Sequence, residues 1–148
     1  MEIRMSLDRM TSFLLAKNIC VLATASGTRP HCSLMAYITD KNGREVYMFT
    51  RRNSRKYANV VESRAVSILI DDRGESDRRR TQALTVSATF DPVVDPGKKS
   101  RIKRAFLAAH PHLSELIDHP DAELLRFRID SLLLLDGPNR SYFAEVEA

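Results

Sequence analysis

With 148 residues, 43% hydrophobic and 28% charged, the chain has the size and make-up of one folded domain, residues 1–148, and is not a disordered segment. The net charge of +4 (pI near 9.3) favours anionic ligands, but the excess is small and partly local, which argues for a specific anion pocket over a general polyanion surface. Two cysteines, Cys20 and Cys32, exclude a disulfide scaffold and a Cys-x-x-Cys motif, and both read as buried free thiols. No apolar run approaches the ~20 residues needed to span a bilayer. The first residues, with Glu2, Asp8 and Arg9, lack a signal peptide's apolar stretch, so the expectation is a cytoplasmic protein.

The spacing of Leu7, Met10 and Leu14 predicts a helix over 6–17, capped by Ser6 and stopped at Asn18. Apolar and alternating runs at 19–25 and 31–39, separated by Ser26-Gly27 and Arg29-Pro30, predict a hairpin. Asn42-Gly43 marks the turn into a third strand over 45–50. A helix starts at Ser54, with Tyr57, Val60 and Val61 on one face, and a strand follows over 65–70. Residues 71–80 carry eight charges of both signs and predict an exposed, mobile loop.

The cleanest strand pattern is 82–90, where Leu84, Val86, Ala88 and Phe90 alternate with Thr85, Ser87 and Thr89. A helix over about 97–109 presents Ile102, Ala105, Phe106 and Ala109 on one face, and a further helical turn fits 113–118. A last strand covers 125–135, and Asp136-Gly137-Pro138 leads into a tail with Tyr142 and Phe143. There is no Gly-x-Gly-x-x-Gly and no regular βαβ alternation, which excludes a Rossmann domain. The pattern predicts a mainly β fold, a six-stranded antiparallel barrel with peripheral helices.

The chemistry concentrates in Phe49-Thr50-Arg51-Arg52-Asn53-Ser54-Arg55-Lys56, where a strand ends, a basic turn follows and a helix begins. Cations and hydroxyls beside unpaired helix N–H groups suit an anion, and a phosphate above all. The histidines give no comparable signal. His110, His112 and His119 have no cysteine or suitably spaced glutamate beside them and read as surface residues, with no metal site. His31 reads as a solvent or partner contact.

The order of elements and this motif together resemble the pyridoxamine 5′-phosphate oxidase-like FMN-binding split-barrel family over roughly residues 6–135. The opening helix with Val21-Leu22-Ala23-Thr24-Ala25, the hairpin with Arg29-Pro30-His31-Cys32-Ser33, and the segment Phe49-Thr50…Ser54-Arg55-Lys56 carry the resemblance. It implies a split barrel holding FMN, with Ser54, Arg55 and Lys56 on the phosphate and Phe49 and Thr50 at the strand end beside it. Arg51 and Arg52 would lend support. Gln82 would reach the flavin, and Ser33, Leu34, Met35 and Ala36 would line its ring. It further implies a homodimer with FMN at the subunit interface.

The tail Pro138–Tyr142 lacks the Arg-x-His pairing that the oxidase proper uses for its substrate, so the resemblance does not extend to that substrate. No side chain stands out as a catalytic acid or base. The implied function is an FMN-dependent oxidoreductase acting on a small molecule, with a nicotinamide or second flavin as redox partner. The alternatives are a haem- or deazaflavin-binding relative, a flavin-binding electron carrier without a substrate, and a nucleic-acid-binding barrel using Arg51, Arg52, Arg55 and Lys56 on phosphates. The last lacks the interleaved aromatics that stack on bases. Tyr142 and Phe143 are open to either a flavin contact or ordinary packing.

Overall fold

Alternating apolar residues, each strand burying one face, decide the architecture. The computed structural model describes residues 2–75 and 77–147, and the side chains of 6–75, 77 and 79–147. Helix α1 (Glu2–Ala16) leads into β1 (Ile19–Ser26), β2 (Arg29–Ala36), β3 (Ile38–Thr39) and β4 (Glu45–Arg51). Helix α2 (Arg55–Glu62) precedes β5 (Ala65–Asp71) and β6 (Gln82–Phe90). Helices α3 (Pro96–Ala109) and α4 (Ser114–Ile117) lead to β7 (Ala122–Asp136) and β8 (Arg140–Glu145).

The strands form one curled sheet in the order β2-β1-β5-β6-β7-β4-β3, with β8 also paired to β7, and every pairing is antiparallel. All six expected strands are present. The second is divided at Tyr37, and the tail carrying Tyr142 and Phe143, for which the sequence pattern predicts no element, forms β8. Asp71, expected in the loop, closes β5; beyond it the described residues up to Arg80 form a loop ending in a 3₁₀ turn at Arg78–Arg80, where Lys17 reaches Glu75 at 2.8 Å, and Ser76 and the Arg78 side chain lie outside the described residues.

β7 is the sheet's backbone. One of its edges pairs with β6, from Gln82 opposite Asp136 to Phe90 opposite Phe127; the other is shared by β4 and β8. A bulge lies where these partners change: Ser87 faces Ser131 but Ala88 faces Ile129, leaving Asp130 over. Such a bulge bends and twists a strand, which curls the sheet. Thr89 donates to the Asp130 carboxylate at 2.7 Å and Val146 N–H to its carbonyl at 2.8 Å, so the extra residue is satisfied.

Inside the curl, Leu22, Ile68, Val86 and Leu132 lie opposite one another on successive strands, and all four are fully buried. Met10 and Leu14 of α1 belong to the same core. The turn into β4 needs Gly43, whose φ of +66° disfavours other residues and whose position leaves only 2.7 Å between an added Cβ and the Thr11 side chain.

Leu132→Ala removes the centre of the buried row, and urea denaturation should show a loss of about 2–5 kcal/mol. Gly43→Ala should cost about 1–3 kcal/mol through backbone strain, read in the same assay.

Candidate functional site

Segment 29–39 begins paired to β1 and ends paired to β4, so at Tyr37 it crosses between the margins of the curled sheet. Tyr37 is held on three sides. Its N–H donates to the Asn18 carbonyl at 3.0 Å, its hydroxyl to the Leu14 carbonyl at 2.6 Å, and its carbonyl accepts from His110 Nε2 at 3.0 Å. Burial, with Cys20 nearby, raises the pKa of this hydroxyl. His110 is thus a buried structural residue and not the surface histidine expected: it caps α3 and packs 4.9 Å from the Phe106 ring.

Beside this crossing a cleft of about 400 Å³ lies between the two margins. Leu34, Met35 and Ala36 of β2 line one side, and Phe49, Thr50 and Arg51 at the end of β4 line another. Ser54 and Lys56 close the polar end. Phe106 of α3 with Leu113 and Leu116 completes the apolar wall, and Phe106 meets Phe49 edge-on with centroids 5.0 Å apart.

The polar end follows from helix capping. Ser54 is the N-cap of α2, and its Oγ accepts from Tyr57 N–H at 3.2 Å. The same Oγ lies 2.9 Å from Thr50 Oγ1, so that pair uses one hydroxyl proton between them and keeps one for a ligand. Arg55 and Lys56 occupy the first two helical positions, whose N–H groups have no acceptor within the helix. There is no acidic residue in this first turn to compete for the positive end. The helix is fixed underneath by Asn59, buried, whose Nδ2 donates to Thr24 Oγ1 at 3.0 Å.

The four cations of the turn are not equivalent. Arg52 donates from Nε to Glu123 at 2.8 Å and lies 3.8 Å from Asp121, while its N–H donates to the Asp121 carbonyl. It fastens the turn to the start of β7 and does not line the cleft, contrary to the supporting role expected of it. Arg51, Arg55 and Lys56 have no carboxylate partner among the described residues.

Of the other expected site residues, Ser33 does not line the cleft; its hydroxyl lies 3.2 Å from His31 Nε2. Arg55 is exposed at the cleft's helix end without lining it. Gln82 is at the far end of β7, opposite Asp136, where its amide donates to Asp136 at 3.2 Å and its N–H to Asp72 at 2.7 Å. Asn53, Phe106, Leu113 and Leu116 line the cleft without having been expected there. Phe106 was signalled by the apolar face of α3, but nothing in the sequence said which strand that face would cover.

Of the two cysteines expected to be buried, one is and one is not. Cys20 is buried, and burial pushes its thiol up to about 12, whereas Cys32 is exposed on the sheet's edge strand. Among the described residues no group of three His, Cys, Asp or Glu side chains is arranged to hold a metal, and no helix is long and apolar enough to cross a membrane.

A curled antiparallel half-barrel whose two margins flank an apolar cleft with a cationic helix end is a split barrel. The family model for pyridoxamine 5′-phosphate oxidase matches residues 6–136, and the chain belongs to that family. Solved structures share the fold. A heme binding protein from Mycobacterium smegmatis is 18% identical with a TM-score of 0.78, and the match covers 92% of this chain but 57% of that one. A FAD-binding protein from Mesorhizobium loti is 15% identical (TM-score 0.71; 85% and 91% covered), and General Stress Protein 26 from Bacillus anthracis 18% identical (TM-score 0.72; 94% and 97% covered). No curated protein matches the sequence significantly.

The difference between the two thiols gives a direct check. Ellman's reagent should titrate one cysteine per native chain and two after unfolding, and Cys32→Ser should abolish the native reaction.

Proposed function

We propose that the cleft binds FMN and that the chain is an FMN-dependent oxidoreductase acting on a small molecule. The observation that carries this reading is the junction of a capped helix end with unpaired cations to an apolar slot walled by Leu34–Ala36 and Phe106. The residues present fit the group. Ser54, the first N–H groups of α2, Lys56, Arg55 and Arg51 would hold the phosphate dianion, and Thr50 would orient the Ser54 hydroxyl. Met35, Ala36 and Phe49 offer the flat apolar surface a flavin ring needs and exclude water from it. Bound FMN would supply two-electron chemistry, with a nicotinamide or second flavin as its redox partner.

The working unit would be a homodimer. On the sheet's outer face, Leu34, Val21, Leu69, Thr85, Leu133 and Phe143 lie opposite one another on successive strands, forming a nearly unbroken apolar row. Leu34 is 76% exposed and Phe143 59% exposed, far more than isolated strand residues need be. Leu34 also lines the cleft, so a second copy on this row would adjoin the flavin site. Gln82, remote from its own chain's cleft, would then be available to the partner's flavin.

Protein with bound FMN should absorb near ~450 nm and release FMN on denaturation, whereas a Soret band would identify haem in its place. Lys56→Gln should weaken FMN binding roughly tenfold or more, while Arg52→Gln, already engaged by Glu123, should change it less than about threefold. Equal losses in the two variants, or absence of any FMN binding, would refute the assignment. Leu34→Arg should shift the light-scattering mass from dimer to monomer, and an unchanged mass would remove this face from the interface.

A further inference from the structure

A second cleft of about 400 Å³ shares only Phe49 with the first. It lies at the start of β7, between α2 and the α3–α4 segment, and none of its charged side chains lines the flavin cleft. Its size is toward the lower end of the ~300–1,000 Å³ typical of small-molecule sites. Its apolar lining includes Tyr57 and Val61 of α2 and Phe90 at the end of β6.

The polar lining is unevenly committed. Asp118 is held by Lys103 at 3.3 Å, and Glu123 by Arg52 at 2.8 Å. Arg64 and Lys99, from separate chain segments, have no carboxylate partner among the described residues. His119 Nδ1 accepts from Asp121 N–H at 3.0 Å, which in the neutral ring puts the proton on Nε2 and leaves a donor on a residue that lines the cleft. Unmatched donors and cations around an aromatic pocket call for an anion with an apolar body.

We propose that this cleft binds a small aromatic monocarboxylate. The Arg64 guanidinium carbon lies 6.0 Å over the centre of the buried Phe90 ring, which fixes the cation at the cleft's aromatic wall, so a carboxylate paired with Arg64 carries its own ring into the cleft toward the half-buried Tyr57. Lys99 approaches from α3 as a second cation, and His119 Nε2–H supplies a neutral donor. The charged side chains of the lining, Arg64, Lys99 and Lys103 against Asp118 and Glu123, leave an excess of one positive charge, which a monoanion matches and a phosphate monoester dianion would exceed.

The test is isothermal titration of 1-naphthoate into the intact protein, with and without saturating FMN, and with 1-naphthylamine as the uncharged control. The expected result is one saturable site per chain, unaffected by FMN, with the amine binding at least ~tenfold more weakly. Arg64→Gln combined with Lys99→Gln should weaken 1-naphthoate at least ~tenfold while leaving the melting temperature unchanged, because both side chains are exposed. No saturable binding, competition by FMN, or an affinity indifferent to the double substitution would overturn the proposal. A protein that fails to take up FMN but binds 1-naphthoate in this way would refute the flavin reading and leave the second site standing.

Discussion

The three hydrogen bonds of Tyr37 are the constraint on which the site depends. A strand that leaves β1 to join β4 must expose a backbone N–H and C=O where the ladder changes, and neither group can be left bare in a buried place. The Asn18 carbonyl and the His110 ring supply the partners, while the hydroxyl takes up a carbonyl of the last turn of α1. One residue therefore ties α1, the link from α1 to β1, and the end of α3 to the point where the sheet's margins approach each other. The cleft is the space those margins leave beside that point. Its apolar wall is set by the same ties, because His110 ends α3 directly after the turn that carries Phe106.

The basic turn shows how a run of like charges becomes a specific site. Four adjacent or nearly adjacent cations repel one another, and an exposed cation in water is well solvated. Arg52 is drawn aside by Glu123 and Asp121, which pins the turn against β7 and reduces the local excess. What remains positive is the part attached to α2, where the unpaired N–H groups and the dipole add to Lys56 and Arg55. Position relative to the helix end, more than the number of charges, distinguishes the cations left without a carboxylate partner among the described residues from the one that holds the turn.

Much of this was legible in the sequence where the signal was local. Period-two alternation placed β6 from Gln82 to Phe90, and Ser54 marked the start of α2 as its cap. Leu34–Ala36 and Phe49–Thr50, expected from resemblance to line one ligand site, do line one cleft. The errors came from long-range pairing. Arg52 and Glu123 are 71 residues apart, and no local pattern links them. Cys32 alternates like a buried residue, but β2 has no outer neighbour, and its side chain faces away from the core. Tyr142 and Ala144 are too few to signal a strand alone, and β8 forms because β7 outruns β4 and offers a free edge to residues 140–145.

The alternation of β4 explains why an anion end and an apolar slot meet where they do. Val46 and Met48 point into the barrel core, while Tyr47 and Phe49 belong to the layer shared with α3 and α4. Thr50 is the last inward residue, and its hydroxyl has no polar partner in an apolar core except at the strand's end, where Ser54 turns back to meet it. That single contact makes the strand's final inward position part of a helix cap. Phe49, one residue earlier and on the opposite face, presents its ring to the slot, so adjacent residues of one strand line the apolar wall and the polar end of the cleft. A one-residue slip of β4 against β7 would exchange these faces, burying Phe49 in the barrel and separating the hydroxyl from the ring wall. The seven-residue ladder between β4 and β7, from Glu45 opposite Arg128 to Arg51 opposite Ala122, is what prevents that slip, and in this sense the register of the sheet specifies the cleft.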